Sequence, residues 1–339
     1  MELDLRKKGA IPLNEHPDFS EQGYEVIREL GRNQEGGRVT YLANVCNSTQ
    51  QVAIKEFSFA DANIDWLGLK AHEREIEILQ RLNHPRIPRY VGSFEAPTSF
   101  YLVQEYKNAP SLASQCNFNP QEIKQIALSI LEILVYLQQQ VEPIIHCDIK
   151  PENILVDEQL NAYLVDFGLA QIKGVKMAFS SLVAGTPGFM PPEEQLGHSL
   201  SEASDLYSLG ATVICLLADT RSVDIRKLVD DNYRFNFQKL VPQINPRFKS
   251  WLMTMVQPHW KYRYANAAIA LEAVKPIEVT GNATAIEILM TAIKFRKQTT
   301  MFVLAMIGMF AVAATTLILS QQGGVAQQLE QSQCQSCNL

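Results

Sequence analysis

The first third of the chain consists of short segments rich in β-branched and aromatic residues, separated by Gly- or Asn-rich turns. This pattern predicts the strands of an antiparallel meander. The five segments are YEVIREL from residue 24, RVTYLANV from 38, QVAIKEF from 51, RYVGSFEA from 89 and FYLVQEY from 100. Between the third and the fourth, residues 66–82 carry apolar side chains at helical spacing and end at Asn83-His84-Pro85, which predicts a helix and its stop.

Beyond Pro110 the pattern changes to the period of amphipathic helices. Residues 120–141 form the longest such segment and begin with a proline, which is favoured in the first turn of a helix. Further helical segments are predicted around residues 201–218 and 247–256. A small β-rich unit therefore precedes a larger α-rich unit, and their junction lies near residues 105–112.

One segment near the end of the chain belongs to neither unit. From residue 301 to residue 319 no side chain is charged and nearly all are apolar. As a helix this run would be about 28 Å long, which is close to the hydrocarbon thickness of a bilayer. We therefore expect residues 299–320 to cross a lipid bilayer once, with a buried core helix as the alternative. Dimerisation through this run stays open, because Gly308 alone does not make a helix-packing motif.

The charges on either side of this run predict its orientation. Lys294, Arg296 and Lys297 precede it, and no Lys or Arg occurs from residue 320 onward. By the positive-inside rule the long N-terminal part lies in the cytoplasm and the tail of residues 321–339 lies outside. The expected location is therefore a single-pass membrane protein with its folded domain in the cytoplasm.

Composition adds three exclusions. Hydrophobic residues make up 47% of the 339 residues and charged residues 19%, which describes a folded protein rather than a disordered chain. Lys and Arg number 30 against 36 Asp and Glu, so no surplus of cations exists to displace counterions from nucleic-acid phosphates. The six Cys are too few for a disulfide scaffold in a chain of this length.

Four short motifs carry the candidate chemistry. They are Val52-Ala53-Ile54-Lys55, His146-Cys147-Asp148-Ile149-Lys150-Pro151-Glu152-Asn153, Asp166-Phe167-Gly168 and Gly185-Thr186-Pro187-Gly188-Phe189-Met190-Pro191-Pro192-Glu193. In this order and at these separations they resemble the signature set of protein kinases. The second and fourth motifs are similar to the serine/threonine branch, and the whole chain is similar to a bacterial, membrane-anchored member of the eukaryotic-like (Hanks-type) family. The resemblance covers about residues 24–272.

The resemblance implies an α+β, bilobal protein-kinase-like fold with a β-rich N-lobe over residues 23–106 and an α-helical C-lobe over residues 107–273. An N-terminal arm (1–22) would precede it, and a juxtamembrane linker (274–298) would follow. The implied activity is transfer of the γ-phosphoryl group of ATP to Ser or Thr hydroxyls of protein substrates. The implied cofactors are ATP and Mg²⁺, with Mn²⁺ as an alternative ion.

The resemblance assigns Lys55 to the α- and β-phosphates of ATP. A helix carboxylate must hold this lysine, and Glu73, Glu75 and Glu77 are the candidates. Glu75 is expected in this role because it stands at the family's spacing from the Asn-His-Pro stop. Glu73 and Glu77 are expected to face solvent, because residues two positions apart on a helix point in different directions.

Four further residues are assigned to the reaction centre. Asp166 and Asn153 would bind magnesium, which prefers oxygen ligands. Asp148 would be the catalytic base that accepts the proton of the substrate hydroxyl, and Lys150 would neutralise charge on the transferred phosphoryl group.

The remaining residues border the nucleotide. The residues assigned here are Gly31, Gly36, Gly37, Val39, Ala53, Glu105 and Lys107. The backbone of residues 105–107 would form the hinge that hydrogen-bonds adenine, and Gln104 would be the gatekeeper beside it. The Gly-rich segment from residue 31 to residue 39 is longer than the family pattern, with Asn33 at a position where a second Gly is expected and Glu35 adding a negative charge.

Other positions are expected to have structural roles, or they differ from the sequence pattern of the family. Glu193 and Arg263 would form a buried ion pair, and Asp205 would hold the backbone of the catalytic loop. Cys147 replaces the Arg that pairs with a phosphorylated activation loop, so we expect activity to depend less on phosphorylation of that loop. His72 is expected on the surface of its helix. A pseudokinase scaffold and a small-molecule phosphotransferase are the alternative functions.

Overall fold

The computed structural model describes residues 16–33, 38–58, 65–114, 118–174, 186–237, 241 and 244–280. Of Asn33 and residues 65–71 only the backbone is described. The first lobe is a five-stranded antiparallel sheet in the order β1-β2-β3-β5-β4. Its strands are β1 (Tyr24–Asn33), β2 (Arg38–Val45), β3 (Gln51–Ser58), β4 (Tyr90–Ala96) and β5 (Ser99–Glu105). Helix α1 (Asp65–Arg81) connects β3 to β4, so the predicted meander and its helix are confirmed.

One face of this sheet carries its own small apolar core. The core consists of Phe19, Val39, Tyr41, Ala43, Val52, Ile54, Tyr101 and Val103. The ring of Phe19 packs edge-on against Tyr101 at 4.8 Å and against Phe94 at 5.4 Å between ring centroids. Residues 16–22 are therefore part of the lobe rather than of a separate arm, because Phe19 covers apolar surface that water would otherwise contact. The rest of the predicted arm lies outside the described residues.

The other face packs against α1, and there the prediction for His72 was wrong. The His72 ring is 1% exposed and lies between Phe57 at 4.1 Å and Phe100 at 3.8 Å. Burial lowers the pKa of His72 to about 3, so the ring is neutral at pH 7. Glu73 and Glu77 are exposed, as predicted.

The second lobe is mainly helical. Its helices are α2 (Pro120–Gln138), α3 (Pro192–Gln195), α4 (Glu202–Leu217), α5 (Pro246–Met255) and α6 (Ala267–Val274). Short strands form two antiparallel pairs, β6 (Ile144–Ile145) with β9 (Gln171–Ile172) and β7 (Ile154–Val156) with β8 (Ala162–Leu164).

Helix α4 is the centre of this lobe. Every residue from Ala203 to Cys215 is buried, which explains why its sequence is apolar around the whole helix. Gly210 allows α5 to come close, since a Cβ at this position would lie 2.8 Å from the Cβ of Met255. The start of α2 is fixed by Asn119, which forms a capping box with Glu122. Two of the helices expected from the sequence, α2 and α4, therefore provide the frame on which the loops of the lobe are held.

The folded unit extends beyond the predicted boundary at residue 273. The buried ammonium of Lys124 on α2 donates to the carbonyl oxygen of Ile277 at 2.6 Å. Ile277 and Val279 both belong to the main apolar core, and Thr280 forms a β-bridge with Ile244. These contacts correct the boundary of the domain to Thr280. The sequence did not indicate this boundary, because the contacts join residues far apart in the chain and leave no local pattern.

No helix in the described part of the chain is long and apolar enough to cross a membrane. The rest of the predicted linker, the predicted span of residues 299–320 and the tail lie outside the described residues.

Candidate active site

The centre of the candidate site is a buried ion pair between the sheet and α1. The Lys55 ammonium lies 2.6 Å from Glu75 Oε1 and 3.3 Å from Asp166 Oδ1. The Glu75 side chain is fully buried, so among the three candidate carboxylates the structure brings Glu75 to Lys55. Burial alone would lower the pKa of Lys55, but the carboxylates of Asp166 and Glu75 outweigh it and raise that pKa. The lysine is therefore a fixed cation.

Asp166 follows β8 and adopts a left-handed backbone with φ of 65°. Burial would raise the pKa of its carboxyl group, but the Lys55 and Arg38 cations lower it below its usual range. The next residue, Phe167, is buried and packs edge-on against the His146 ring at 4.7 Å between centroids. The Asp166 side chain is thus an ionised carboxylate, and the packing of Phe167 against His146 holds the backbone of this loop in place.

His146 links this loop to the catalytic loop. Its Nδ1 accepts from the amide of Asp148 at 3.3 Å, so the ring proton lies on Nε2, which is 3.1 Å from the carbonyl oxygen of Val165. Burial lowers the pKa of His146 to about 4, which keeps the ring neutral. A neutral imidazole with one donor and one acceptor therefore spans the two loops that carry Asp148 and Asp166.

The side chains of Lys150 and Asn153 converge on the carboxylate of the predicted base, Asp148. Asp148 Oδ2 lies 2.9 Å from the Lys150 ammonium and accepts from Asn153 Nδ2 at 2.7 Å. Asn153 Nδ2 also donates to the Asp148 carbonyl oxygen at 2.8 Å, which leaves its amide oxygen for another partner. Lys150 donates to the Thr186 hydroxyl at 3.0 Å. Burial raises the pKa of Asp148, which makes it a better proton acceptor than a free carboxylate.

Two structural predictions are confirmed beneath these loops. Asp205 on α4 accepts from the amides of His146 at 2.8 Å and Cys147 at 3.0 Å. Glu193 and Arg263 form a buried, bidentate ion pair in which both N–O distances are 2.7 Å. These residues hold the loops in place and do not reach the reaction centre.

The residues assigned to the adenine pocket occupy the junction of the lobes. Ala53 pairs with Gln104 across β3 and β5, and both are buried. The side chains of Glu105 and Lys107 form an ion pair at 2.8 Å, and the Lys107 ammonium donates to the carbonyl oxygen of Pro85 at 2.9 Å. These side chains brace the hinge, so contact with adenine through its backbone stays a prediction.

The register of β2 corrects the position of Val39. Val39 pairs with Glu56 and lies in the apolar core on the face of the sheet opposite to Lys55. Thr40 pairs with Lys55 and therefore faces the same side as that lysine. The Gly-rich segment has one residue more than the family pattern, and a shift of one residue moves every side chain to the other face. This extra residue was visible in the sequence and is the signal that could have identified Thr40.

The other glycine assignments have different outcomes. Gly36 and Gly37 lie outside the described residues. Gly31 is exposed, and a Cβ at this position would meet no atom within 4 Å, so the described structure gives no steric reason for a glycine there. Arg38, which the assignment did not include, stacks on the Phe57 ring at 5.1 Å and adds positive charge near Asp166.

The donor set fits a magnesium ion bound together with a nucleotide. Asp166 supplies an ionised and partly accessible carboxylate, and Asn153 supplies an amide oxygen that is not used by Asp148. In the described part of the chain no three His, Cys, Asp or Glu side chains form a cage for a metal. Magnesium suits such a site, because it takes one or two protein oxygens and completes its shell with phosphates and water.

Comparison with known proteins agrees with this geometry. A family model described as "Protein kinase domain" matches residues 24–272. Serine/threonine-protein kinase D of Synechocystis sp. is 32% identical over 273 residues, which are 76% of this chain and 53% of the relative. Serine/threonine-protein kinase B of the same organism is 31% identical over 74% of this chain and 46% of the relative.

A plant relative gives a similar result. The probable LRR receptor-like serine/threonine-protein kinase RPK1 of Arabidopsis thaliana is 33% identical over 55% of this chain and 35% of its own length. The chain thus spans about half or less of the length of these relatives. With the matched region and the geometry of the cleft taken together, the chain belongs to the protein kinase family, in its serine/threonine branch, whose members use ATP with Mg²⁺.

Proposed function

We propose that this chain catalyses transfer of the γ-phosphoryl group of ATP to Ser or Thr hydroxyls of protein substrates. The observation that carries the proposal is the position of the Lys55 ammonium, which contacts both the helix carboxylate Glu75 and the Asp166 carboxylate. This arrangement requires the sheet, α1 and the loop after β8 to meet in one cleft, and it leaves a cation fixed where a phosphate can approach.

Each residue of the site has a defined task in the proposed reaction. Lys55, held by Glu75, orients the α- and β-phosphates of ATP. Asp148 accepts the proton of the substrate hydroxyl, and its raised pKa favours this acceptance. Lys150 stays next to Asp148 and provides positive charge beside the transferred group. Asp166 and Asn153 would hold Mg²⁺, and the charge of the ion would neutralise that of the phosphates.

The completeness of the residue set favours turnover over a pseudokinase scaffold. Lys55, Glu75, Asp148, Asn153 and Asp166 are all present and all engaged with one another or with neighbouring loops. The Lys150–Thr186 contact places the start of the fourth motif at the catalytic loop, which suits a polypeptide substrate better than a small molecule.

The test is transfer of label from γ-labelled ATP with Mg²⁺ to a generic protein substrate. We expect the wild-type chain to label the protein and Asp148→Asn to abolish labelling, because Asn keeps the shape but cannot accept the proton. Glu158→Gln is the matched control, since Glu158 is an exposed acid ten residues further along the chain. ATP binding without labelling in the wild type would favour the scaffold. Labelling of small molecules alone would favour the third alternative.

We also propose that residues 299–320 anchor the enzyme in a membrane as a single span, with the kinase domain in the cytoplasm. The support is the uncharged apolar run and the three cations that precede it. The test is resistance of the full chain to carbonate extraction from membranes. The double variant Ile307→Arg/Phe310→Arg should be extracted, whereas Ile307→Leu/Phe310→Leu should be retained. Extraction of the wild type would reject the anchor.

A further inference from the structure

Two large aromatic side chains project from the C-lobe just before α6. Trp260 is 42% exposed and Tyr262 is 72% exposed, in a single turn of 3₁₀ helix with Lys261 between them. The Lys261 ammonium lies 5.4 Å from the Trp260 ring. The His259 ring lies 5.9 Å from Trp260 and 5.5 Å from Tyr262 between centroids. We call residues 259–262 the aromatic loop.

The aromatic loop is fixed in this outward position at both ends. Arg263 follows it and is buried in the ion pair with Glu193. The same guanidinium donates to the carbonyl oxygens of Gln257 at 2.7 Å and Pro258 at 3.0 Å, directly before the loop. The exposure of Trp260 and Tyr262 therefore follows from a rigid clamp and not from a loosely held segment. Exposed aromatics held in this way indicate a contact surface.

The chemistry of the aromatic loop matches the boundary between lipid and water. Trp and Tyr have an apolar body and a polar tip, and they are enriched where headgroups meet acyl chains. Lys261 can extend its ammonium toward lipid phosphates while its stem stays on apolar surface. A stable protein interface buries about 1,200–2,000 Å² in total, whereas a single turn that carries two exposed aromatic rings and a lysine can enter a bilayer interface without a shaped partner surface.

The length of the chain beyond the described residues brings a bilayer within reach. Helix α6 lies between the aromatic loop and Thr280, the last described residue. The eight residues of this helix are about 12 Å long. Residues 281–300, twenty in number (300 − 280), separate Thr280 from the apolar run that begins at Met301. Twenty residues can reach at most about 70 Å, which is enough for the aromatic loop and the apolar run to meet the same bilayer.

We propose that the aromatic loop inserts Trp260 and Tyr262 into the lipid headgroup region, so that the C-lobe docks on the membrane that holds the chain. The inference rests on the proposed anchor, because the span provides the high local concentration of lipid that so small a contact needs. Docking would restrict the orientations of the tethered kinase domain and favour substrates near the membrane surface.

The test uses the full chain in nanodiscs of phosphatidylcholine and phosphatidylglycerol, with or without bromine on the acyl chains. Bromine quenches tryptophan fluorescence only at close approach. We expect brominated lipid to quench part of the emission of the wild type, and we expect Trp260→Phe to lose that quenched part. Trp251 is buried in the core and should not be quenched. Val91→Ser, at an exposed apolar residue of the N-lobe, is the control and should quench like the wild type.

The outcomes separate this inference from the anchor. Carbonate-resistant protein without quenching would overturn docking and leave the anchor in place. Extractable protein without quenching would overturn both. If quenching persists in Trp260→Phe, the quenched emission comes from another tryptophan, and docking is overturned. The wild type could instead show no quenching and form a dimer that dissociates in the double variant Trp260→Ser/Tyr262→Ser. This result would assign the aromatic loop to contact with a second copy of the chain and would also overturn docking. Phosphorylation of a soluble peptide should be unchanged in Trp260→Phe.

Discussion

The carboxylate of Asp205 holds Cys147 in a left-handed backbone conformation. Asp205 Oδ1 accepts from the Cys147 amide at 3.0 Å, and the φ angle of Cys147 is 66°. A non-glycine residue in this region is strained and persists only where the surroundings determine it. Because Asp148 is the next residue, the geometry of the predicted base depends on a helix residue that never touches substrate.

Asp205→Ala should therefore destabilise the domain and lower turnover together. The change leaves two buried amides, those of His146 and Cys147, without a partner, at a cost on the order of 2–4 kcal/mol. Urea denaturation and kcat measured on the same protein check this. Asp205→Asn, which keeps one acceptor oxygen, should lie between Ala and the wild type. Full stability in Asp205→Ala would contradict the role of the carboxylate.

Glu75→Gln should lower kcat/KM for ATP by about 10- to 100-fold, because a charge-assisted hydrogen bond to Lys55 becomes a neutral one. Steady-state kinetics with varied ATP is the measurement. Glu73→Gln is the matched control, since Glu73 is exposed two residues away on the same helix. Equal effects of the two substitutions would show that helix charge in general, and not the ion pair, supports the activity.

Local sequence pattern predicted the strands and the main helices, because these depend on periodicity. The choice of Glu75 came from the resemblance to the kinase family, which fixes the spacing from this carboxylate to the helix stop. The face of Val39 was predicted wrongly, because one added residue in a turn changes the register of a whole strand. The burial of His72 was also missed. Its environment is made by Phe57 and Phe100 from two strands, and no local pattern reports such a meeting. The bond from Lys124 to Ile277 joins residues 153 positions apart, so the end of the domain was equally hidden.

The corrected register predicts different effects for substitutions at two adjacent residues. Thr40→Phe should raise KM for ATP by about tenfold, since a larger side chain on the face of Lys55 intrudes into the cleft at a cost of about 1–3 kcal/mol. Val39→Thr should leave KM for ATP unchanged and destabilise the domain by about 1–3 kcal/mol, because it buries a hydroxyl in an apolar core. Kinetics and urea denaturation of both variants are the measurements. A raised KM in Val39→Thr would favour the uncorrected register.

Glu194 gives the domain a stability that depends on pH near neutrality. Burial, together with the carboxylates of Asp205, Asp148 and Glu193, raises the pKa of Glu194 from 4.5 to about 8, and its Oε2 atom has no hydrogen-bond partner. Between these two values the folded state retains a proton that the unfolded state releases. The contribution of this group to stability is therefore complete below about pH 4.5 and decreases as the pH rises toward 8.

Glu194→Gln removes this decrease, because the amide is uncharged at every pH. The melting temperature of the variant relative to the wild type should rise steadily from pH 5 to pH 8 and become constant above that range. Glu158→Gln, at an exposed acid, should follow the wild type throughout. If the curves of Glu194→Gln and the wild type run parallel across this range, the Glu194 carboxyl group titrates at an ordinary pKa and the three neighbouring carboxylates do not act on it.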